Sequence, residues 1–246
     1  MAGLTAEQRI TTPVLRTSWL EAGFVHWRVP TPSIEALLPA GLTADVHDGS
    51  AWVTLVPHVM ADVRPLGLPL LPDLSGVLGG CLPDLSSAPE INLRTYVRGP
   101  DGGDGLWFFS LDVANTTVAA AARALVGAPY FASRLRIERE EGSVRYAGSR
   151  TGRPEFFDLT IQPGAAIEPS ELDVWLTGRW RAYTKHLGSL LVTPVEHEPW
   201  PLRSATLRSC RESLTAAAGL PGVGDALVRF SEGVTMVCVG PPRVLR

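Results

Sequence analysis

The sequence predicts a mainly β domain, either an antiparallel barrel or a sandwich, that carries two or three short helices. Short segments rich in β-forming residues alternate between apolar and polar side chains. Turn signals separate these segments, and 24 glycines and 21 prolines in 246 residues disfavour long helices. Because 45% of the residues are hydrophobic and only 19% are charged, the chain is expected to fold around a core rather than to be disordered.

The elements follow one another without a repeat, a linker or a shift in composition, so residues 1–246 are interpreted as one domain. Residues 1–19 are polar and form an arm or a first edge element. The predicted strands are Gly23–Val29, Ala51–Met60 with Pro57 at a bulge or edge, Glu90–Val97, Leu106–Val113, Arg134–Glu140, Ser143–Gly148, Glu155–Gln162, Leu187–Thr193 and Arg229–Val239. The predicted helices are Ser33–Leu38 capped by Thr31 or Ser33, Thr117–Val126 stopped by Gly127 and Pro129, and Ser170–Tyr183 with Ser170 as N-cap.

Residues 64–89 form a long segment rich in proline, glycine and leucine. Unstructured loops of this length are uncommon inside a domain and are often functional. Two interpretations stay open: a flap that covers the core, and a lid over a pocket.

The strand Glu90–Val97 presents an unusual set of polar side chains. Alternation places Glu90, Asn92, Arg94 and Tyr96 on one face. On an outer face they would be ordinary solvated groups, whereas inside a barrel they must pair with one another or with a ligand. The second case predicts that Glu90, Arg94 and Arg150 project into one cavity.

Composition and motifs exclude several classes of function. A net charge of −3 and a pI near 6.0 argue against a non-specific nucleic-acid binder. Three distant cysteines without a CxxC motif, and five histidines without HxH or HExxH, predict neither a disulfide framework nor a metal site. Hydrolase and nucleotide-binding signatures do not occur in the sequence. With no export signal or membrane-spanning segment apparent, a cytoplasmic protein that does not contact membranes is expected.

Lys185 is the only lysine among 22 basic residues, so it is the single candidate for Schiff-base chemistry. Because the predicted helix Ser170–Tyr183 ends just before it, Lys185 is expected to be exposed at the helix C-terminus, where the helix dipole favours a positive charge. The sequence therefore predicts that the protein does not act through a lysine Schiff base.

In the segment EINLRTYV the chain resembles the YqjF-type family of uncharacterised bacterial proteins, a domain of unknown function. Matching segments cover nearly the whole chain: FVHWRV (24–29), ALLPAGL (36–42), DGSAWVTLVPHVM (48–60), LWFFSLDV (106–113), GAPYFAS (127–133), YAGSR (146–150), LTGRWRAYTKHLGSLL (176–191) and EHEPWPL (196–202). This family is similar in fold to acetoacetate decarboxylase, which implies an antiparallel, cone-like β-barrel with an internal cavity. The resemblance further implies that Tyr130 and Phe131 stand where that enzyme has its lysine pair, and that Glu90 matches its cavity acid.

These observations together predict a small-molecule-binding barrel. It is expected to be a cofactor-independent acid–base enzyme of lyase, isomerase or cyclase type, acting on a carbonyl, enol or polyene substrate in bacterial secondary metabolism. Glu90 would be the acid or base and Tyr130 a proton donor; the expected ligand-binding residues are Arg94, Arg150, Asn92, Tyr96, His26 and Trp200. A non-catalytic protein that binds or senses an apolar ligand is the alternative, an interaction scaffold is a third class, and a homo-oligomer is compatible with either.

Overall fold

The computed structural model describes residues 2–65, 87–114 and 116–245. In chain order the elements are β1 (Leu15–Val29), α1 (Thr31–Glu35), β2 (Thr43–Ala44), β3 (Ala51–Pro65), β4 (Ser87–Arg98), β5 (Asp104–Val113), α2 (Thr116–Val126), β6 (Tyr130–Glu140), β7 (Ser143–Arg150), β8 (Phe156–Ala166), α3 (Glu171–Thr177), β9 (Arg181–His186), β10 (Ser189–Glu196), β11 (Leu202–Glu212), α4 (Leu214–Ala217), β12 (Leu227–Val239) and β13 (Arg243–Val244).

Nine strands close into a barrel. Their order is β5-β6-β7-β8-β11-β12-β1-β3-β4, and the pairing of β4 with β5 completes the ring. Outside this ring, β9 pairs with β5, and β10 pairs with both β9 and β12, so these two strands also link β5 to β12. The pairings of β5 with β6 and with β9 are parallel, and the others in the described sheet are antiparallel. The predicted barrel is confirmed, with a mixed sheet in place of a purely antiparallel one.

The strands β1, β3 and β4 have two buried faces. One face supplies the main hydrophobic core, to which Val25, Leu55, Ile91 and Leu93 belong. Because successive side chains of a strand point to opposite faces, the residues between them lie on the other side, under β9 and β10. That other side holds the cavity described below.

Several local predictions are confirmed by the structure. The hairpin of β4 and β5, the hairpin of β6 and β7, and helix α2 all form near the predicted positions. Ser170 caps α3 in a capping box with Asp173. Pro57 lies opposite the register shift between β1 and β3, as the predicted bulge requires.

Other boundaries were wrong. Helix α3 ends at Thr177 rather than Tyr183, because Gly178 interrupts it and the next residues form β9. β1 begins at Leu15 rather than Gly23, inside the segment predicted as an arm or a first edge element. Helix α1 begins at Thr31, because Pro32 suits the first turn of a helix. β11 was not predicted at all. The segment proposed as a flap or lid falls mostly on residues 66–86, which lie outside the described residues, while its ends belong to β3 and β4.

Candidate functional site

A cavity of about 310 Å³ lies on the second buried face of β1, β3 and β4. Its lining comes from these strands and from α2, β5, β6, β9, β10 and β12. Most of the lining is apolar; the polar and charged side chains include Glu90, Asn92 and Arg94, which follow one another along β4. The predicted cavity face of EINLRTYV is therefore the face that lines this space.

Glu90 is positioned by contacts from three strands. In the antiparallel register of β3 and β4 it stands directly opposite His58. The parallel pairing of β5 with β6 brings Tyr130 alongside, and the Tyr130 hydroxyl donates a hydrogen bond of 3.2 Å to Glu90 Oε2. The glutamate, the histidine and the phenol thus meet at one wall of the cavity.

Burial changes the acidity of Glu90. The residue is only 6% exposed, and removal from water raises the pKa of its carboxyl from 4.5 to about 7. The nearby charge of Asp112 also raises this pKa, while hydrogen bonds from Tyr130 and Asn92 oppose the rise. Glu90 can therefore both give and take a proton near neutral pH, as a general acid or base must. Burial raises the pKa of Tyr130 well above its ordinary value, so the phenol keeps its proton.

The His58 imidazole lies beside the Glu90 carboxyl. Its Nε2 atom lies 3.8 Å from Glu90 Oε1, and its Nδ1 atom lies 3.4 Å from the Val56 carbonyl oxygen. Burial lowers the pKa of His58 to about 4. Between about pH 4.5 and 6.5, the imidazole is therefore neutral while the carboxyl is protonated, and neither carries a charge.

Arg94 lies in the same cavity and is 8% exposed. Its Nε atom has no hydrogen-bond partner among the described residues. The guanidinium is held by Tyr96 and lies 5.9 Å from the centre of the Phe24 ring. Burial lowers the pKa of Arg94, although a guanidinium remains charged under ordinary conditions.

Aromatic rings form another part of the wall. Trp19 and Trp200 are stacked with ring centres 6.1 Å apart, and both contact His197. Trp180 lies 4.7 Å from His197 on a further side. Rings of this kind offer a broad apolar surface to a flat ligand.

The structure brings together most of the sequence-predicted site residues. Those that line the cavity are Glu90, Asn92, Arg94, Tyr130 and Trp200. His26 and Tyr96 do not line it: both are buried behind it, where the Thr54 hydroxyl lies 2.8 Å from His26 Nδ1 and 2.6 Å from the Tyr96 hydroxyl.

The expectation that Arg150 shares this cavity was wrong. Arg150 ends β7, and its guanidinium makes two hydrogen bonds, of 2.8 and 3.0 Å, to the carboxylate of Asp112. It also lies 3.7 Å from the centre of the Phe131 ring. These contacts satisfy the guanidinium outside the cavity wall, so Arg150 is an internal ion-pair partner.

His58, His197 and Arg179 also line the cavity, although they were not predicted as site residues from the sequence. The register of β3 against β4 is the signal for His58, since it lies on the same strand face as Thr54 and Val56. Arg179 was hidden because its segment was taken for helix.

Lys185 lies on the strand β9, not after a helix. Its neighbours Ala182 and Thr184 line the cavity, whereas Lys185 is exposed and is not among the lining residues. The predicted exposure is confirmed, although the element that carries the residue was wrong.

The described residues contain no group of three or more histidine, cysteine, aspartate or glutamate side chains that could hold a metal ion. None of the described helices combines the length and the hydropathy needed to cross a bilayer.

Comparison with known proteins adds two kinds of evidence. Residues 16–235 match the model of the DUF2071 family, described as "Uncharacterized conserved protein (COG2071)". The chain is 31% identical over 211 residues to the uncharacterized protein YqjF of Bacillus subtilis strain 168, covering 84% of this chain and 82% of that protein.

Solved structures share the fold at low sequence identity. The enduracididine biosynthesis enzyme MppR complexed with pyruvate superposes with a TM-score of 0.65 at 14% identity, over 98% of this chain and 93% of that one. The acetoacetate decarboxylase of Legionella pneumophila superposes with a TM-score of 0.64 at 11% sequence identity, over 100% of this chain and 92% of that one. An acetoacetate decarboxylase-like enzyme from Sphingomonas wittichii RW1 superposes with a TM-score of 0.63 at 17% sequence identity, over 100% of this chain and 99% of that one. The chain therefore belongs to the DUF2071 family and has the barrel fold of acetoacetate decarboxylase-like enzymes.

Proposed function

We propose that the protein is a cofactor-independent enzyme that moves a proton on a carbonyl or enol substrate bound in this cavity. The observation that carries the proposal is Glu90, a buried carboxyl on the cavity wall whose pKa is raised to about 7. Titratable groups with strongly shifted pKa values in a cavity are typical of catalytic sites. Structural neighbours are enzymes, and one of them is complexed with pyruvate, which supports a carbonyl substrate.

In the proposed mechanism, ionised Glu90 removes a proton from the carbon next to the carbonyl, and protonated Glu90 returns it at the same or a neighbouring atom. The electron pair of the broken C–H bond moves to the carbonyl oxygen, which gives an enolate. Tyr130 keeps its proton and orients the carboxyl through its hydrogen bond. The buried guanidinium of Arg94 stabilises the negative charge that develops on the carbonyl oxygen of the substrate.

A Schiff base has no part in this mechanism. The single lysine, Lys185, points away from the cavity on β9, and Tyr130 occupies the wall beside the acid. Because no lysine amine lies in the described cavity wall, direct proton transfer is the chemistry that Glu90 supports.

Hydrogen–deuterium exchange tests the proposal without knowledge of the natural substrate. Pyruvate, acetoacetate and phenylpyruvate are incubated with the protein in D₂O, and loss of the signal of the exchanging C–H is followed by proton NMR. We expect catalysed exchange with at least one probe, and a rate that rises with pH through about 7 as Glu90 ionises. Glu90→Gln should lower the rate at least about 100-fold, since general acid–base catalysis contributes that much or more.

Two variants serve as controls. Glu155→Gln makes the same carboxyl-to-amide change in a residue that does not line the cavity, and it should retain exchange. Lys185→Arg should also retain exchange. Catalysis by the wild type that survives in Glu90→Gln, or that disappears in Lys185→Arg, contradicts the proposal.

The alternative is a binding protein for an apolar ligand, which the largely apolar lining favours. Tight binding of probes without catalysed exchange is the result expected from that alternative.

A further inference from the structure

We propose that the ligand of this cavity is a small organic acid whose carboxylate is held by the guanidinium groups of Arg94 and Arg179. This inference rests on the proposed function, because it names the class of substrate that enters the same cavity. The balance of buried charge, the unsatisfied polar atoms and the lining carry it.

The charge of Arg94 has no ion-pair partner in the part of the chain that the structure describes. Its Nε atom has no hydrogen-bond partner there either. A buried charge without a counter-ion is costly, so such a charge normally has a partner. The cavity beside Arg94 is the place where a partner can bind.

Arg179 is the second cation. Its Nη1 atom donates to Asp45 at 2.7 Å and to Asp104 at 2.9 Å, and its Nε atom donates to the Trp175 carbonyl oxygen at 2.8 Å. Nη2 has no hydrogen-bond partner in the described part of the chain, although the residue lines the cavity and is 4% exposed.

The two guanidinium groups lie in one region of the wall. The Arg179 guanidinium lies 5.1 Å from the centre of the Tyr96 ring, and Tyr96 lies two residues after Arg94 on β4, with its side chain on the same strand face. The two positive charges repel each other closely enough for Arg179 to lower the pKa of Arg94. A ligand carboxylate beside both would relieve this repulsion, and guanidinium groups match the geometry of carboxylates.

Arg98 is a third guanidinium group near this wall. It donates to Asp45 at 2.9 Å and does not line the cavity, so it is not in contact with a ligand there.

The remainder of the ligand follows from the lining. Asn92 lies between Glu90 and Arg94 on the cavity face of β4, and its Oδ1 atom is an acceptor that has no partner among the described residues. A hydroxyl or N–H group on the ligand would satisfy it. The stacked rings of Trp19 and Trp200 then contact an apolar or aromatic body.

Calorimetry with a matched pair of probes tests the inference. Phenyllactate carries a carboxylate, a hydroxyl and a ring, and phenyllactamide has the same shape without the charge. Titrated into the full chain at pH 6, the acid should bind at least about 10-fold more tightly than the amide, the factor for one charge-assisted hydrogen bond. Equal affinities, or binding of neither probe at millimolar concentration, would overturn the inference.

Variants then assign the preference to residues. Arg94→Gln should abolish the preference for the acid, and Arg179→Lys should weaken it, because lysine keeps a charge for the aspartates but loses the second amino group. Arg98→Gln is the control, since Arg98 belongs to the same network but does not line the cavity. A preference that survives in Arg94→Gln, or that is lost equally in Arg98→Gln, refutes the assignment.

This experiment and the exchange experiment fail separately. A protein that prefers the acid but catalyses no exchange contradicts only the proposed function. A protein that catalyses exchange through Glu90 but does not discriminate between the probes contradicts only the carboxylate assignment. If Arg94→Gln does not fold, as circular dichroism would show, the comparison of acid and amide on the wild type still decides.

Discussion

Replacing Glu90 by glutamine should change the pH dependence of stability in a defined direction. Glutamine copies the shape of the protonated carboxyl and cannot ionise. The carboxyl has a pKa of about 7 in the folded protein against 4.5 ordinarily, and each pH unit between them corresponds to about 1.4 kcal/mol. Ionising Glu90 therefore costs the folded state about 3 kcal/mol more than the unfolded chain.

The sign follows from the raised pKa. Below pH 4.5 the carboxyl is protonated in both states, and its contribution to stability is fully present. As the pH rises from 4.5 through 7, the unfolded chain loses this proton first and the contribution is lost. The wild type should thus lose about 3 kcal/mol of unfolding free energy relative to Glu90→Gln over this range.

His58 makes the comparison with the variant necessary. Its pKa is lowered to about 4, so its contribution is gained as the pH rises from 4 to 6.5, and it opposes the contribution of Glu90 in the wild type. The difference between wild type and Glu90→Gln isolates the glutamate. Urea unfolding of both proteins at pH 4.5, 6, 7 and 8 measures it, and a difference that stays constant over this range would mean that the pKa of Glu90 is not raised by folding.

Three further predictions concern the surroundings of the site. Arg150→Gln should cost about 3–5 kcal/mol, because it leaves Asp112 buried without its partner, whereas Arg203→Gln at an exposed ion pair should cost about 1 kcal/mol or less in the same urea assay. Gly127→Ala should lower the melting temperature, because the glycine has φ +66° and a Cβ there would lie 2.4 Å from a backbone oxygen of β9; an unchanged temperature would contradict this. Borohydride with pyruvate should give no adduct on Lys185 by mass spectrometry, and an adduct there would restore a Schiff-base mechanism.

The barrel was predictable because its hairpins are encoded locally. Alternation in EINLRTYV and LWFFSLDV, joined by an Asp-Gly turn, is enough to predict the pairing of β4 with β5 and the face that carries Glu90. The parallel pairings of β5 were not predictable in this way. The pairing with β9 joins segments far apart in the chain, and the pairing with β6 crosses over through helix α2, so no hairpin turn signals either of them. Only the resemblance to a known family indicated how the sheet closes.

The site was predictable only where its residues share one strand. Glu90, Asn92 and Arg94 follow from alternation, whereas His58 requires the register of a second strand and Arg179 requires the end of α3 to be placed correctly. Arg150 shows the opposite error. Its polar side chain suggested a ligand, but Asp112 on another strand satisfies it, and nothing in the local sequence reveals that partner.

A carboxyl that exchanges its proton near neutral pH is the feature of the cavity on which the proposed chemistry depends. Carbon-13 NMR of the glutamate side-chain carboxyls, titrated from pH 4 to 9, measures it directly, and the signal missing from Glu90→Gln assigns the resonance. We expect an inflection near pH 7 for Glu90, set by its burial beside Tyr130. An inflection near 4.5, the value of a solvated glutamate, would contradict it.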